Sequence, residues 1–209
     1  AEARGVETPL EAALTVGDRL LAALASLQLA DNGAGASGHG AIAVDQVLLS
    51  ESGALTLTDY AFGGVLGELQ WTRERMWRRF RIAMPPAAGL ARFDHRVDVT
   101  QAAVVIAALL AGRVPGADEY PRDAQAFVSE AVRRATVNAR RDDRDRLLTW
   151  LRAAAELEPR NAFRSAAAAR EALRAALPAY LDGGEAVRGW LRETRGLPAI
   201  PAAEEPPCH

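Results

Sequence analysis

The chain contains no lysine; every one of its 25 basic residues is arginine. No side chain here can form a Schiff base or serve as an amine base of lowered pKa. Together with the abundant alanine, this reads as the coding bias of a GC-rich genome. Cysteine is almost missing too. Cys208 stands alone beside the C-terminal end, so an internal disulfide and a cysteine metal site are both excluded. Long apolar runs are lacking. The longest, Ala102–Ala111, is about half of what a bilayer-spanning helix needs. The first residues show no basic start followed by an apolar block, so no secretory leader is read there. Net charge is −2, which gives no bulk electrostatic case for nucleic acid or an anionic membrane. A cytoplasmic protein with no nucleic-acid partner and no membrane segment is expected.

What is present is enough for one full-sized core in 209 residues, 49% of them hydrophobic. Leu10, Leu14, Leu20, Leu21, Leu24 and Leu27 recur at helical spacing and predict a helix over 9–30. A run of turn formers, Asp31 to Gly38, breaks it. Strands are expected at 47–50 and 55–58, joined by Glu51-Ser52-Gly53-Ala54 as a hairpin. A short helix is expected within 66–81, then extended chain at Pro85-Pro86 and Gly89. Val99–Ala111 predicts a helix apolar on all sides, closed by Gly112, at the centre of the domain. Further helices are expected at 122–139, 144–157, 165–181 and 184–194. The Pro- and Ala-rich end from Leu197 reads as linker or tail. The class is therefore mainly α, with a short hairpin packed on a helical bundle, since a lone hairpin is not independently stable.

Several segments carry a resemblance. His39-Gly40-Ala41-Ile42-Ala43-Val44-Asp45-Gln46, followed by Asp59-Tyr60-Ala61, has the outline of H-R-D-L-x-x-x-N and D-F-G. Asp98-Val99-Thr100-Gln101-Ala102-Ala103-Val104-Val105 is similar to D-V-x-S-x-G-V-V. Leu109 to Pro115 is similar to L-L-T-G-R-x-P, and Glu158 to Ala166 to D-P-x-x-R-F-x-S-A. In this order they resemble the larger, C-terminal lobe of a bacterial Ser/Thr protein kinase. The resemblance covers roughly 8–180 and implies a kinase-like lobe over 1–181. An extra helix over 182–196 and a tail over 197–209 would follow. The small lobe, with its glycine-rich loop and strand lysine, is not in the sequence, so the chain is expected to be part of a longer polypeptide.

The resemblance also shows what chemistry is gone. Kinases use a loop Asp as proton acceptor, a loop Asn and the D-F-G Asp for magnesium, and a Lys for phosphate. Ala41 stands at the proton acceptor, Ala43 at the loop Lys and Gln46 at the Asn, which leaves no catalytic residue. Asp59 keeps its identity and is the one candidate for a metal or nucleotide. Mg²⁺ normally also needs phosphate oxygens, so ATP and Mg²⁺ are expected only if a small lobe is present. Asp45 is a candidate substitute base, or else a solvated loop carboxylate. His39 and Asp98 are expected to be structural, His39 packing inward against the backbone near Asp59. Ala87 and Ala162 stand where an A-P-E glutamate and its arginine would pair, and losing both partners together can be neutral. They are expected to approach each other. Arg73, Arg75, Arg78 and Arg79, with Arg81, Trp71, Trp77 and Phe80, suggest either an anion or partner site or an amphipathic helix that buries its aromatics.

These residues imply a catalytically inactive kinase-like domain acting as an interaction or regulatory module with an unnamed protein partner. The alternatives are a residual ATP binder or weak kinase, and a purely structural domain.

Overall fold

A computed structural model describes residues 7–30, 38–59, 62–85 and 93–194. The comparison of Ala87 with Ala162, and the expectations for residues 1–6 and the 197–209 tail, lie outside the described residues.

The bundle is organised on two long helices. In α1 (Leu10–Ala30), Leu14, Leu20, Leu21 and Leu24 are fully buried. They join one core with α4 (His95–Ala111), which is buried along almost its whole length, as an all-apolar helix at the centre of a domain should be. α4 begins a turn earlier than Val99. Asp94 caps it, accepting hydrogen bonds from the N–H groups of Arg96 (3.0 Å) and Val97 (3.2 Å). Gly112 closes it at φ 67°, a left-handed C-terminus that glycine adopts freely.

The hairpin forms where expected, as β1 (Val47–Leu49) and β2 (Leu55–Leu57), antiparallel with Leu48 opposite Thr56. Val47, Leu55 and Leu57 lean on the main core, while Leu48 and Thr56 face outward. Period-two alternation thus attaches an otherwise marginal hairpin to the helices.

The helix expected within 66–81 is two helices, α2 (Phe62–Glu68) and α3 (Arg73–Phe80). Gln70 takes a left-handed conformation (φ 47°) and interrupts the helical path. Thr72 then caps α3, its hydroxyl accepting from the Arg75 N–H at 3.3 Å. α5 (Ala124–Ala135), α6 (Arg141–Ala154) and α7 (Ala166–Ala176) complete the bundle around α4 and α1. α5 and α7 are shorter than their apolar patterns suggest, α6 keeps the expected length but lies three residues earlier, and Pro178–Tyr180 is a separate 3₁₀ turn after α7. α8 (Gly184–Thr194) buries Val187 against Ala12 and Val16 of α1. No helix among the described residues is long and apolar enough to cross a membrane.

Two smaller apolar clusters set the floor of the site. Ala41, Leu66, Met76, Ile82, Met84 and Val97 pack together under α2 and α3. Trp77, Ala83, Val104, Tyr120 and Ala124 form the other. The Trp77 indole N–H donates to the Gly116 carbonyl (3.0 Å) and the Tyr120 hydroxyl donates to the Met84 carbonyl (2.7 Å). Both polar tips are therefore satisfied where the rings are buried.

Candidate functional site

The loop from His39 to Gln46 carries no regular structure until the 3₁₀ turn Val44–Gln46, so its backbone groups must find partners elsewhere. Two side chains of α4 supply them. The Asp98 carboxylate accepts from the N–H of His39 (3.0 Å) and of Gly40 (2.8 Å). One turn on, the Gln101 amide accepts from the Ile42 N–H (2.9 Å) and donates to the Gly40 carbonyl (2.9 Å). Gln28 of α1 reaches the same node, donating to Asp98 and to the His95 carbonyl (both 3.3 Å) and accepting from the Ala166 N–H (2.9 Å). α4 thereby grips the loop directly, and Gln28 ties that grip to α1 and α7.

Asp98 is buried, and burial pushes its carboxyl above the usual range even against the donors from Gly40, His39 and Gln28. The carboxylate is expensive to hold there, and its backbone donors are what keep it. His39 is buried beside it. Burial holds the imidazole below its ordinary pKa, opposed by the Asp98 charge and by a hydrogen bond with the Thr58 backbone. A neutral ring packed against the residue before Asp59 is the structural role expected of His39.

Gly40 has a specific reason to be glycine. Its φ is +71°, and a Cβ there would stand 2.7 Å from the Gly63 Cα and 2.7 Å from the Phe93 ring. Gly63 returns the constraint, since a Cβ on it would meet the His39 carbonyl oxygen at 2.5 Å. The start of α2 therefore lies backbone to backbone on the loop.

Above this scaffold Ala41, Gln46 and Asp59 converge on one cleft of about 360 Å³. Phe62, Phe80 and Ile82 form its apolar sides, and Asp45, Arg79 and Arg81 bring charge to it. Asp59 is exposed and sits in the left-handed region at φ 62°. Strain of that kind in a non-glycine residue often marks a functional position. The Oε1 atom of Gln46 is buried and accepts no hydrogen bond from the described residues. Gln46 and Asp59 line the same cleft, and two side chains alone fall short of the octahedral shell that magnesium demands. Among the described residues no three His, Cys, Asp or Glu side chains gather as a metal site.

Ala43, two residues from Ala41, faces away from this cleft. It lines a second, apolar pocket that adjoins the first, with Asp45 and Arg81 lining both.

The arginines of α3 fan out instead of forming one patch. Arg79 enters the cleft. Arg78 pairs with Asp118 at the open surface (3.1 Å), and the Arg75 guanidinium lies 4.0 Å from the centre of the Trp71 ring. Arg73, half-buried, lends its charge to the surroundings of Tyr120. Trp77 and Met76 are buried beneath, so α3 is an amphipathic helix that buries Trp77.

Two residues of the scaffold, Gln28 and Gln101, escape sequence reasoning. Their only signal is a long polar side chain inside an otherwise apolar helical run. Comparison of the chain with protein-family models, with curated proteins and with solved structures returns no match.

Proposed function

We propose that the chain is the larger lobe of a protein-kinase-like domain that has lost phosphoryl transfer and works as an interaction or regulatory module. The observation that carries this reading is the methyl group of Ala41 in the cleft that Gln46 and Asp59 also line. The residues are arranged as for chemistry, while the one that would accept the substrate proton has no titratable group. Loss of a general base costs about 10²–10⁴ in rate. Ala43 stands at the loop lysine of the resembled motif, so that phosphate contact is gone as well. Meanwhile the hydrogen bonds from Asp98 and Gln101 still hold the loop. A scaffold kept with its chemistry removed suits binding, and a protein is the partner proposed.

A second reading has one specific observation in its favour. Asp45 lines the same cleft as Ala41, so a carboxylate stands where a weak phosphotransferase would want one. Transfer of labelled phosphate from ATP with Mg²⁺, measured on the protein in its natural polypeptide, separates the two. Background transfer supports the inactive module. Transfer that disappears in Asp45→Asn or Asp59→Ala supports the enzyme.

A further inference from the structure

The apolar pocket beside the cleft has a volume of about 370 Å³, at the lower end of the range for small-molecule sites. Val104, Val105 and Ala108 of α4 form its back, Ile42 and Trp77 its flanks. The polar groups in its walls are already occupied. Gln101 is bound to the Ile42 and Gly40 backbone, and the Trp77 N–H to the Gly116 carbonyl. An occupant therefore meets an apolar interior. Val44 and Val114 lie on the lining and are substantially exposed to water, at 38% and 42%. Covering them is favourable.

The lining holds two titratable side chains, Asp45 and Arg81. They carry opposite charge, both are exposed, and neither forms an ion pair with a described residue. Arg81 is held in place at the C-terminus of α3 by its left-handed backbone (φ 56°), with its guanidinium 5.5 Å from the centre of the Trp77 ring. An apolar chamber bordered by a cation and an anion that pair with no described residue matches a ligand with an apolar body and both charges.

We infer that this pocket binds a free α-amino acid with a large aromatic or branched side chain. The side chain seats against Val104, Val105 and Ala108. The carboxylate meets Arg81 and the ammonium group meets Asp45. A ligand with a single charge leaves one of the two unanswered, and one without a side chain leaves the chamber unfilled. The inference does not rest on the kinase-like reading, because it uses neither Ala41 nor Asp59.

Isothermal titration calorimetry of the whole chain with L-phenylalanine, L-tryptophan and L-leucine tests it. Glycine, phenethylamine and 3-phenylpropionate are the comparison ligands. The expected result is saturable binding of the apolar amino acids and none of glycine. Each singly charged analogue is expected to bind about tenfold more weakly or worse, the scale of one lost charge-assisted contact. Asp45→Asn is expected to weaken phenylalanine while leaving 3-phenylpropionate unchanged. Arg81→Asn, which tolerates the left-handed backbone, should weaken phenylalanine while leaving phenethylamine unchanged. Failure of all three amino acids to bind overturns the inference. So does equal affinity for phenylalanine and phenethylamine, a comparison that needs no variant to fold.

Discussion

At the scale of single residues, the site is defined by what each side chain can and cannot offer. Gly40 occupies the position at which the resembled motif has arginine, and its backbone disfavours any side chain there. Gly40→Arg forces a side chain into the left-handed region and a Cβ to 2.7 Å from Gly63. A loss of about 1–3 kcal/mol, or more with the clash, is expected in chemical denaturation. Gln101 is the opposite case, a polar residue whose removal leaves orphans. Gln101→Leu strips partners from the Ile42 N–H and the Gly40 carbonyl, both buried. The expected cost is about 2–4 kcal/mol by the same measurement. A Gln101→Leu protein as stable as the parent would show that the loop does not depend on α4. Ala41 was picked out in the sequence by its place in the resembled motif, and the cleft it lines also takes in Gln46 and Asp59. The Gln28–Asp98–Gln101 node was not readable, because hydrogen bonds spanning some 60 residues leave no local pattern.

At the scale of elements, periodicity succeeded where one face is buried and failed where backbone conformation decides. The hairpin followed from alternating residues around a Gly-containing turn, and it pairs Val47 with Leu57 and Leu49 with Leu55. α1 matched its leucine spacing to within a residue. The division of 66–81 into α2 and α3 was hidden because it turns on the left-handed φ of Gln70, which no residue pattern announces. The same division decides where the arginines go. With α3 starting at Arg73 under a Thr72 cap, Arg79 lines the cleft while Arg78 meets Asp118 at the surface. Thr72→Ala removes the cap and should cost about 0.5–1 kcal/mol in thermal or chemical unfolding, the low end because the bond is exposed. No change on this substitution would mean that tertiary packing alone fixes where α3 begins.

At the scale of the whole molecule, charged side chains tie helices together that apolar packing has already brought close. Asp18 of α1 is buried and receives two-pronged hydrogen bonds from Arg170 and Arg174 of α7, at 2.8–3.2 Å. Burial pushes the Asp18 carboxyl up. The hydrogen bonds from Arg174 and Arg170 and their charges outweigh it and leave the group below its usual value. The folded pKa is therefore depressed relative to the unfolded chain. The stabilisation is present above the unfolded carboxylate value, about 3.9, and is lost as pH falls below it. Asp18→Asn should accordingly melt below the parent at neutral pH, and the gap should close as the pH is lowered through that window. A gap that persists unchanged at the acid end would remove Asp18 as its cause.

The same frame gives the functional reading its form. Asp98 and Gln101 of α4 hold the loop from His39 to Gln46, and what the loop presents is a cleft without a proton acceptor at Ala41. The most direct test is transfer of labelled phosphate from ATP with Mg²⁺ by the protein in its natural polypeptide, beside Asp45→Asn and Asp59→Ala. The account predicts transfer at background in all three. Transfer above background in the parent that is abolished by either substitution would contradict it.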